Sequence, residues 1–254
     1  MKNNKALGQH WLYNRAVLEE IAELAYGGVD DERPRARVCV EIGPGLGTLT
    51  ASLLRRFDEV IAVEFDERLA QNLPGSFPGK NLKVINDDIL SVDLNFIQEK
   101  YVIAGNIPYY ITSPIIRKVL TLKRPAERVV FLVQKEVADR LVDEKETVLS
   151  LFVKNYADVK LGPVVLKGEF TPPPKVDSAV IVLKQHAAIV EDKVFELIKR
   201  GFKAPRKKLV HNLMGLASKE ELTRKMAEIG ISLDARPGDL KLEEWQKLSY
   251  HLSK

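Results

Sequence analysis

Residues 37–50 read RVCVEIGPGLGTLT: a short apolar run breaks into glycines at 43, 45 and 47 and then into helix-forming residues. An apolar run of that length closed by glycine reads as a buried strand. The glycines that follow let the backbone turn tightly and approach a ligand where a side chain would collide. The same rhythm extends outward from this stretch. RAVLEEIAELAY (15–26) precedes it as an amphipathic helix, and strand-like runs follow at 59–64 (EVIAVE), 82–86 (LKVIN), 101–105 (YVIAG) and 128–133 (RVVFLV). Between them lie helix-period segments such as LTASLLRRF, DERLAQNL and SPIIRKVLTL. This alternation implies a parallel sheet covered on both faces. DVKLGPVVL and SAVIVL add a terminal strand pair around a proline-rich loop. The expected fold is α/β and Rossmann-like, with a mostly parallel seven-stranded sheet.

The chain has 254 residues, 45% hydrophobic and 29% charged, enough for a large domain and a smaller companion. Beyond about Gln185 only helical segments remain, so we expect a first domain over 1–186 and a small all-α domain over 187–254. The single cysteine, Cys39, lies inside the first strand and excludes a disulfide framework. The N-terminus has no apolar signal core, and no stretch approaches the roughly 20 apolar residues that span a bilayer. A cytoplasmic monomer that avoids membranes is expected. The net charge is only +4, but it is unevenly placed. Lys2, Lys5 and Arg15 occupy an acid-free N-terminal stretch, and KRGFKAPRKK (199–208) holds Lys199, Arg200, Lys203, Arg206, Lys207 and Lys208 around Phe202. Such a cluster suits nucleic-acid phosphates, although a solvated charged face explains many such runs.

Two acidic strand ends accompany the glycine turn. Glu64 closes the second strand, where a carboxylate can accept hydrogen bonds from both hydroxyls of an adenosine ribose. Asp88, in NDDIL after the third strand, is available to an adenine amino group. Gly43 and Gly45 belong to G-x-G-x-G and not to the G-x-G-x-x-G that seats a pyrophosphate, which favours a cofactor without phosphates over a dinucleotide. A nicotinamide-dependent enzyme stays open at this point. No metal-ligand spacing is seen.

The fourth strand runs into AGNIPYYITSPII (104–116). Asn106 offers a side-chain carbonyl, and Ile107, pushed toward extended geometry by Pro108, offers a main-chain carbonyl beside it. Two acceptors suit an exocyclic amino group such as adenine N6, with Tyr109 stacked on the ring. Tyr110 is expected to be packing.

GQHWLYN, EIGPGLGTLT, VEFDERL, NDDIL, GNIPYYITSPII, FLVQKEVADRL and FTPPPKVDSAV together resemble the ribosomal RNA adenine N6,N6-dimethyltransferase family, in its small-subunit branch. The resemblance covers nearly the whole chain. It implies a class I S-adenosylmethionine-dependent methyltransferase fold, with S-adenosylhomocysteine as product and no metal. It also implies action on two adjacent adenines in the 3′-terminal hairpin of 16S rRNA, within the immature 30S subunit. His10 and Leu12 are then expected at the methionine end of the cofactor, Gly43 beneath it, and Asn106 between cofactor and target. Phe170 is expected as the second aromatic, closing a sandwich on the target base with Tyr109. Where relatives usually have GQNFL this chain has GQHWL, which leaves a main-chain contact at position 10 but changes the side chain. The rivals are a 23S rRNA adenine methylase and a non-catalytic ribosome-assembly factor on the same fold.

Overall fold

The computed structural model describes residues 9–27 and 36–253. The chain divides into two compact units, the first Met1–Ala138 with Asp158–Gln185, the second Asp139–Ala157 with His186–Lys254. The first unit is built on a seven-stranded sheet. Its strands are β2 (Val38–Ile42), β3 (Glu59–Glu64), β4 (Leu82–Asn86), β5 (Tyr101–Asn106), β6 (Arg128–Gln134), β7 (Ala157–Val165) and β9 (Ser178–Gln185), in the order β4-β3-β2-β5-β6-β9-β7. All seven fall within two residues of their expected positions. β2 pairs in parallel with both β3 and β5, β3 with β4, and β5 with β6, while β9 runs antiparallel to β6.

The apolar runs read as strands because the central ones are covered on both faces. All five residues of β2 are buried, as are the first five of β5. Helix α1 (Arg15–Tyr26) turns Leu18, Ile21, Ala22 and Ala25 into the same core as Val102, Ala104, Val130 and Leu132. Asn14 starts α1 by accepting from the amides of Ala16 and Val17, at 2.9 and 3.3 Å. Helix α2 (Thr48–Leu53) adds Leu49 and Leu53 to that core.

The chain builds outward from β2 to β3 and β4, then returns to lay β5 on the other side of β2. Such a reversal opens a crevice at the carboxyl ends of the two central strands, which is where open α/β sheets bind ligands. A second, minute sheet was not foreseen: β1 (Trp11–Leu12) pairs antiparallel with β8 (Phe170–Thr171).

The second unit has its own core, formed by Leu151, Val194, Phe195, Ile198, Leu209, Leu222, Met226, Trp245 and Leu248. Its helices include Val148–Tyr156, Asp192–Gly201, Leu209–Leu213, Lys219–Glu228 and Leu242–Leu252. The expected boundary after residue 186 therefore assigned residues 139–157 to the wrong unit. The physical reason is local. Leu151 is fully buried in this core, and Asn155 Oδ1 accepts from the amides of Ile189 and Val190 at 2.9 and 2.8 Å. The buried Glu146 accepts from Lys154 and Ser150 and donates its amide to Gly238 O at 2.8 Å.

Candidate active site

The crevice at the ends of β2 and β5 is a cleft of about 260 Å³ lined by residues from four strand ends and the N-terminal segment. His10, Leu12, Gly43, Gly45, Glu64, Asp88, Asn106, Ile107, Pro108 and Tyr109 all line it.

The glycine turn forms its floor. Gly45 has φ +57°, and a Cβ there would lie 3.2 Å from the indole of Trp11, so both the conformation and the space favour glycine. The Gly45 amide donates to Glu64 Oε2 at 3.0 Å, and the Asp66 amide donates to Oε1 at 2.9 Å. Burial pushes the Glu64 carboxyl above the ordinary range, against the pull of these amides. Asp88 is held by the Leu90 amide, which donates to its Oδ1 at 2.9 Å. Gly105 brings the two central strands together: a Cβ on it would lie 2.6 Å from the Ile42 carbonyl oxygen.

Asn106 closes β5 and donates from Nδ2 to the His10 carbonyl oxygen at 2.9 Å. That bond identifies Oδ1 as the acceptor end of the amide. The contact uses main chain at position 10, so replacement of an amide by an imidazole leaves it available. Ile107 buries its side chain, at 1% exposure, while still lining the cleft. Pro108 has φ −60° and ψ 131°, the extended start of a single 3₁₀ turn over Tyr109–Ile111. Tyr109 is half-buried, and its hydroxyl lies 2.5 Å from the fully buried Ser178 Oγ. Burial raises the Tyr109 phenol above its usual value, although the Ser178 bond opposes this.

Phe170 is elsewhere. It is 2% exposed, packs in the core of the first unit, and sits opposite Leu12 in the β1–β8 pair. The ring stacked on Tyr109 belongs to His10, with centroids 5.8 Å apart and an interplanar angle of 21°. His10 Nδ1 is 2.8 Å from the Pro172 carbonyl oxygen, so it is the protonated ring nitrogen in this arrangement. The sandwich expected from Phe170 is thus absent: strand pairing has drawn that side chain into the core.

Four further cleft residues escaped the sequence reading. Trp11 lies against Gly45, and Phe65, directly after Glu64, lines the cleft with 63% of its surface exposed. An aromatic residue directly after the acidic end of a strand was the available signal for Phe65. Tyr110, expected as packing, is exposed at the cleft. The fourth is Glu41, a buried acid at the end of β2 that accepts from Thr50 Oγ1 at 2.6 Å; burial, with Glu64 nearby, pushes it up to about 8. It was hidden because a carboxyl inside an apolar strand gives no periodic signal.

In the second unit the six basic residues expected to meet nucleic acid are all exposed. Lys199 pairs with Glu196 at 2.8 Å, and Lys208 pairs with Asp234. Phe202 is not interleaved with them for binding: it packs against Trp245, with centroids 6.1 Å apart. Lys2 and Lys5 lie outside the described residues. Among the described residues no group of three His, Cys, Asp or Glu could hold a metal, and no helix is long and apolar enough to cross a membrane.

A sequence profile of the family described as ribosomal RNA adenine dimethylase matches residues 1–254. A protein of Dehalococcoides mccartyi (strain CBDB1) named ribosomal RNA small subunit methyltransferase A is 39% identical, covering 98% of this chain and 88% of the relative. One of the same name from Geobacillus sp. (strain WCH70) is 36% identical over 96% of this chain and 90% of its own length. Among solved structures, the 23S rRNA methyltransferase ErmE superposes with a TM-score of 0.75 at 25% identity, covering 96% of this chain and 100% of its own. A dimethyladenosine transferase from Plasmodium falciparum superposes with a TM-score of 0.78 at 24% identity, over 94% of this chain and 96% of that one, a likeness of fold.

Proposed function

The chain belongs to the ribosomal RNA adenine dimethylase family, and from that premise we propose that it converts two adjacent adenines in the 3′-terminal hairpin of 16S rRNA to N6,N6-dimethyladenosines. It is an S-adenosylmethionine-dependent adenine dimethyltransferase with a class I fold. The substrate in this reading is the immature 30S subunit in the cytoplasm, and the protein acts as a monomer.

One observation carries the reading. Asn106, Ile107, Pro108 and Tyr109 line the same cleft as Gly43, Glu64 and Asp88. S-adenosylmethionine supplies an electrophilic methyl group on a sulfonium. The donor set suits its adenosine half. Both Glu64 oxygens are already oriented by amides and keep lone pairs for the ribose hydroxyls, Asp88 accepts from the adenine amino group, and Phe65 offers an apolar face. Gly43, Gly45, His10 and Leu12 surround the methionine half.

The target adenine is held by acceptors. Asn106 Oδ1 and the Ile107 carbonyl accept hydrogen bonds from N6, two before the first methyl is added and one before the second, which favours a pyramidal nitrogen whose lone pair has left the ring; N6 loses one proton to solvent for each methyl it gains. Those hydrogen bonds strengthen most as the nitrogen is alkylated, so they lower the barrier more than they tighten ground-state binding. Tyr109 supplies the stacking face and, tied to Ser178, holds the base in a near-attack position. Phe170 acts at one remove, by anchoring β1 and with it the His10 main-chain carbonyl that orients Asn106. Lys199, Arg200, Lys203, Arg206, Lys207 and Lys208 bind RNA phosphates, with Lys199 and Lys208 exchanging their carboxylate partners for them.

The likeness to ErmE favours a second reading in which 23S rRNA is the substrate. Against it stand full-length relatives named for the small subunit. Radiolabelled methyl transfer to under-methylated small subunits and to naked 23S rRNA, followed by nucleoside analysis, separates them. The expected product is N6,N6-dimethyladenosine in 16S rRNA, and label in 23S rRNA alone would overturn the proposal.

A further inference from the structure

Tyr109 and Tyr110 are consecutive, yet they face opposite circumstances. Tyr109 is held at its hydroxyl by Ser178 and stacked by His10, whereas Tyr110 is 61% exposed at the same cleft. The 3₁₀ turn they share accounts for this, because three residues per turn point successive side chains about 120° apart. A tyrosine in that position contributes nothing to the core. Burial would have hidden its ring, and solvation alone would have been served by any polar residue.

We propose that Tyr110 is a stacking platform for the unpaired adenine next to the one held by Tyr109. This rests on the reading of the cleft as the site of rRNA adenine methylation. Its Cα lies about 3.8 Å from that of Tyr109, so one rigid turn presents two aromatic faces to consecutive nucleotides. A base drawn into the cleft must unstack from its neighbour, and the neighbour loses a partner in turn. An exposed ring at the mouth replaces that lost stack. Such a contact reads the flat face of a base and not its edge, so it steadies the RNA without selecting sequence by itself.

The test compares Tyr110→Ala, Tyr110→Phe and Tyr110→Trp in the full-length protein. For each, KM and kcat are measured on under-methylated small subunits, and S-adenosylmethionine affinity is measured by calorimetry. Tyr110→Ala should raise KM for the subunits by about tenfold, the loss expected for one base–aromatic stack. Cofactor affinity should not change, and Tyr110→Phe and Tyr110→Trp should restore the wild-type KM. An unchanged KM in Tyr110→Ala overturns the platform, as does a parallel loss of cofactor affinity or a failure of both aromatic variants to rescue. If the wild-type protein methylates no small-subunit RNA, both this proposal and the reading it rests on fall. Wild-type methylation with an indifferent Tyr110→Ala removes the platform alone.

Discussion

The imidazole of His10 lies on the ring of Tyr109, with 5.8 Å between centroids. That separation is already a contact distance for two aromatic rings, so no base fits between them. A target adenine using that face of Tyr109 must first displace His10 and break its bond to the Pro172 carbonyl.

His10→Ala removes the competing ring but keeps the main-chain carbonyl that Asn106 donates to. The KM for under-methylated small subunits should fall by about 2- to 10-fold, the worth of one aromatic pair, with kcat little changed. Steady-state kinetics read both. A raised KM would mean that His10 stacks on the base itself.

Asn106→Ala deletes one of two acceptors for the target amino group and also the donor to His10 O. Single-turnover methyl transfer should slow by about 10²- to 10³-fold, as for loss of one transition-state hydrogen bond. Binding to the small subunit, measured by co-sedimentation, should survive. Wild-type turnover in this variant would remove Asn106 from the chemistry.

Gly105→Ala places a methyl group 2.6 Å from the Ile42 carbonyl, between the two central strands. The Ile42 backbone cannot yield cheaply, and the buried Ile107 side chain, 3.2 Å from the same point, leaves the methyl group little room to move. Chemical denaturation should show a loss of about 1–3 kcal/mol, together with weaker binding of S-adenosylmethionine, because the displaced strand ends carry Gly43 and Asn106.

Stability should fall as pH rises from about 5 to about 8 through the buried Glu41, whose carboxyl is raised to about 8. In that window the folded protein keeps a proton that the unfolded chain has released, so raising the pH favours unfolding. The effect is fully developed above the folded value and absent below the unfolded one. Glu41→Gln, which retains a hydrogen-bonding partner for Thr50, should show a flatter dependence of melting temperature on pH. Identical slopes would show that Glu41 is not the group that titrates.

Elements that carry their own signal were legible in the sequence. Strands β3 and β4 fall at Glu59–Glu64 and Leu82–Asn86, as their apolar runs indicate, and α1 spans Arg15–Tyr26 because its apolar face and its Asn14 cap agree. The cleft residues at strand ends were legible for the same reason: topology brings the ends of central strands together. What depends on distant partners was not. Two residues give no periodicity, so the β1–β8 pair was invisible, and with it the burial of Phe170 and the stacking of His10 on Tyr109. The allegiance of residues 139–157 was hidden likewise, because Leu151 shares its buried core with residues from Val190 onward, across the intervening strands of the other unit.

The short pairing of Trp11–Leu12 with Phe170–Thr171 also sets an order of events during synthesis. The wall of the cleft that carries His10 is made well before residues 170–172, and it has nothing to pair with until they emerge. Contacts of such long sequence separation form late in folding. A nascent chain that stops short of residue 170 holds the central strands β2 and β5 side by side while lacking a finished cleft, so translation itself delays assembly of the methylation site.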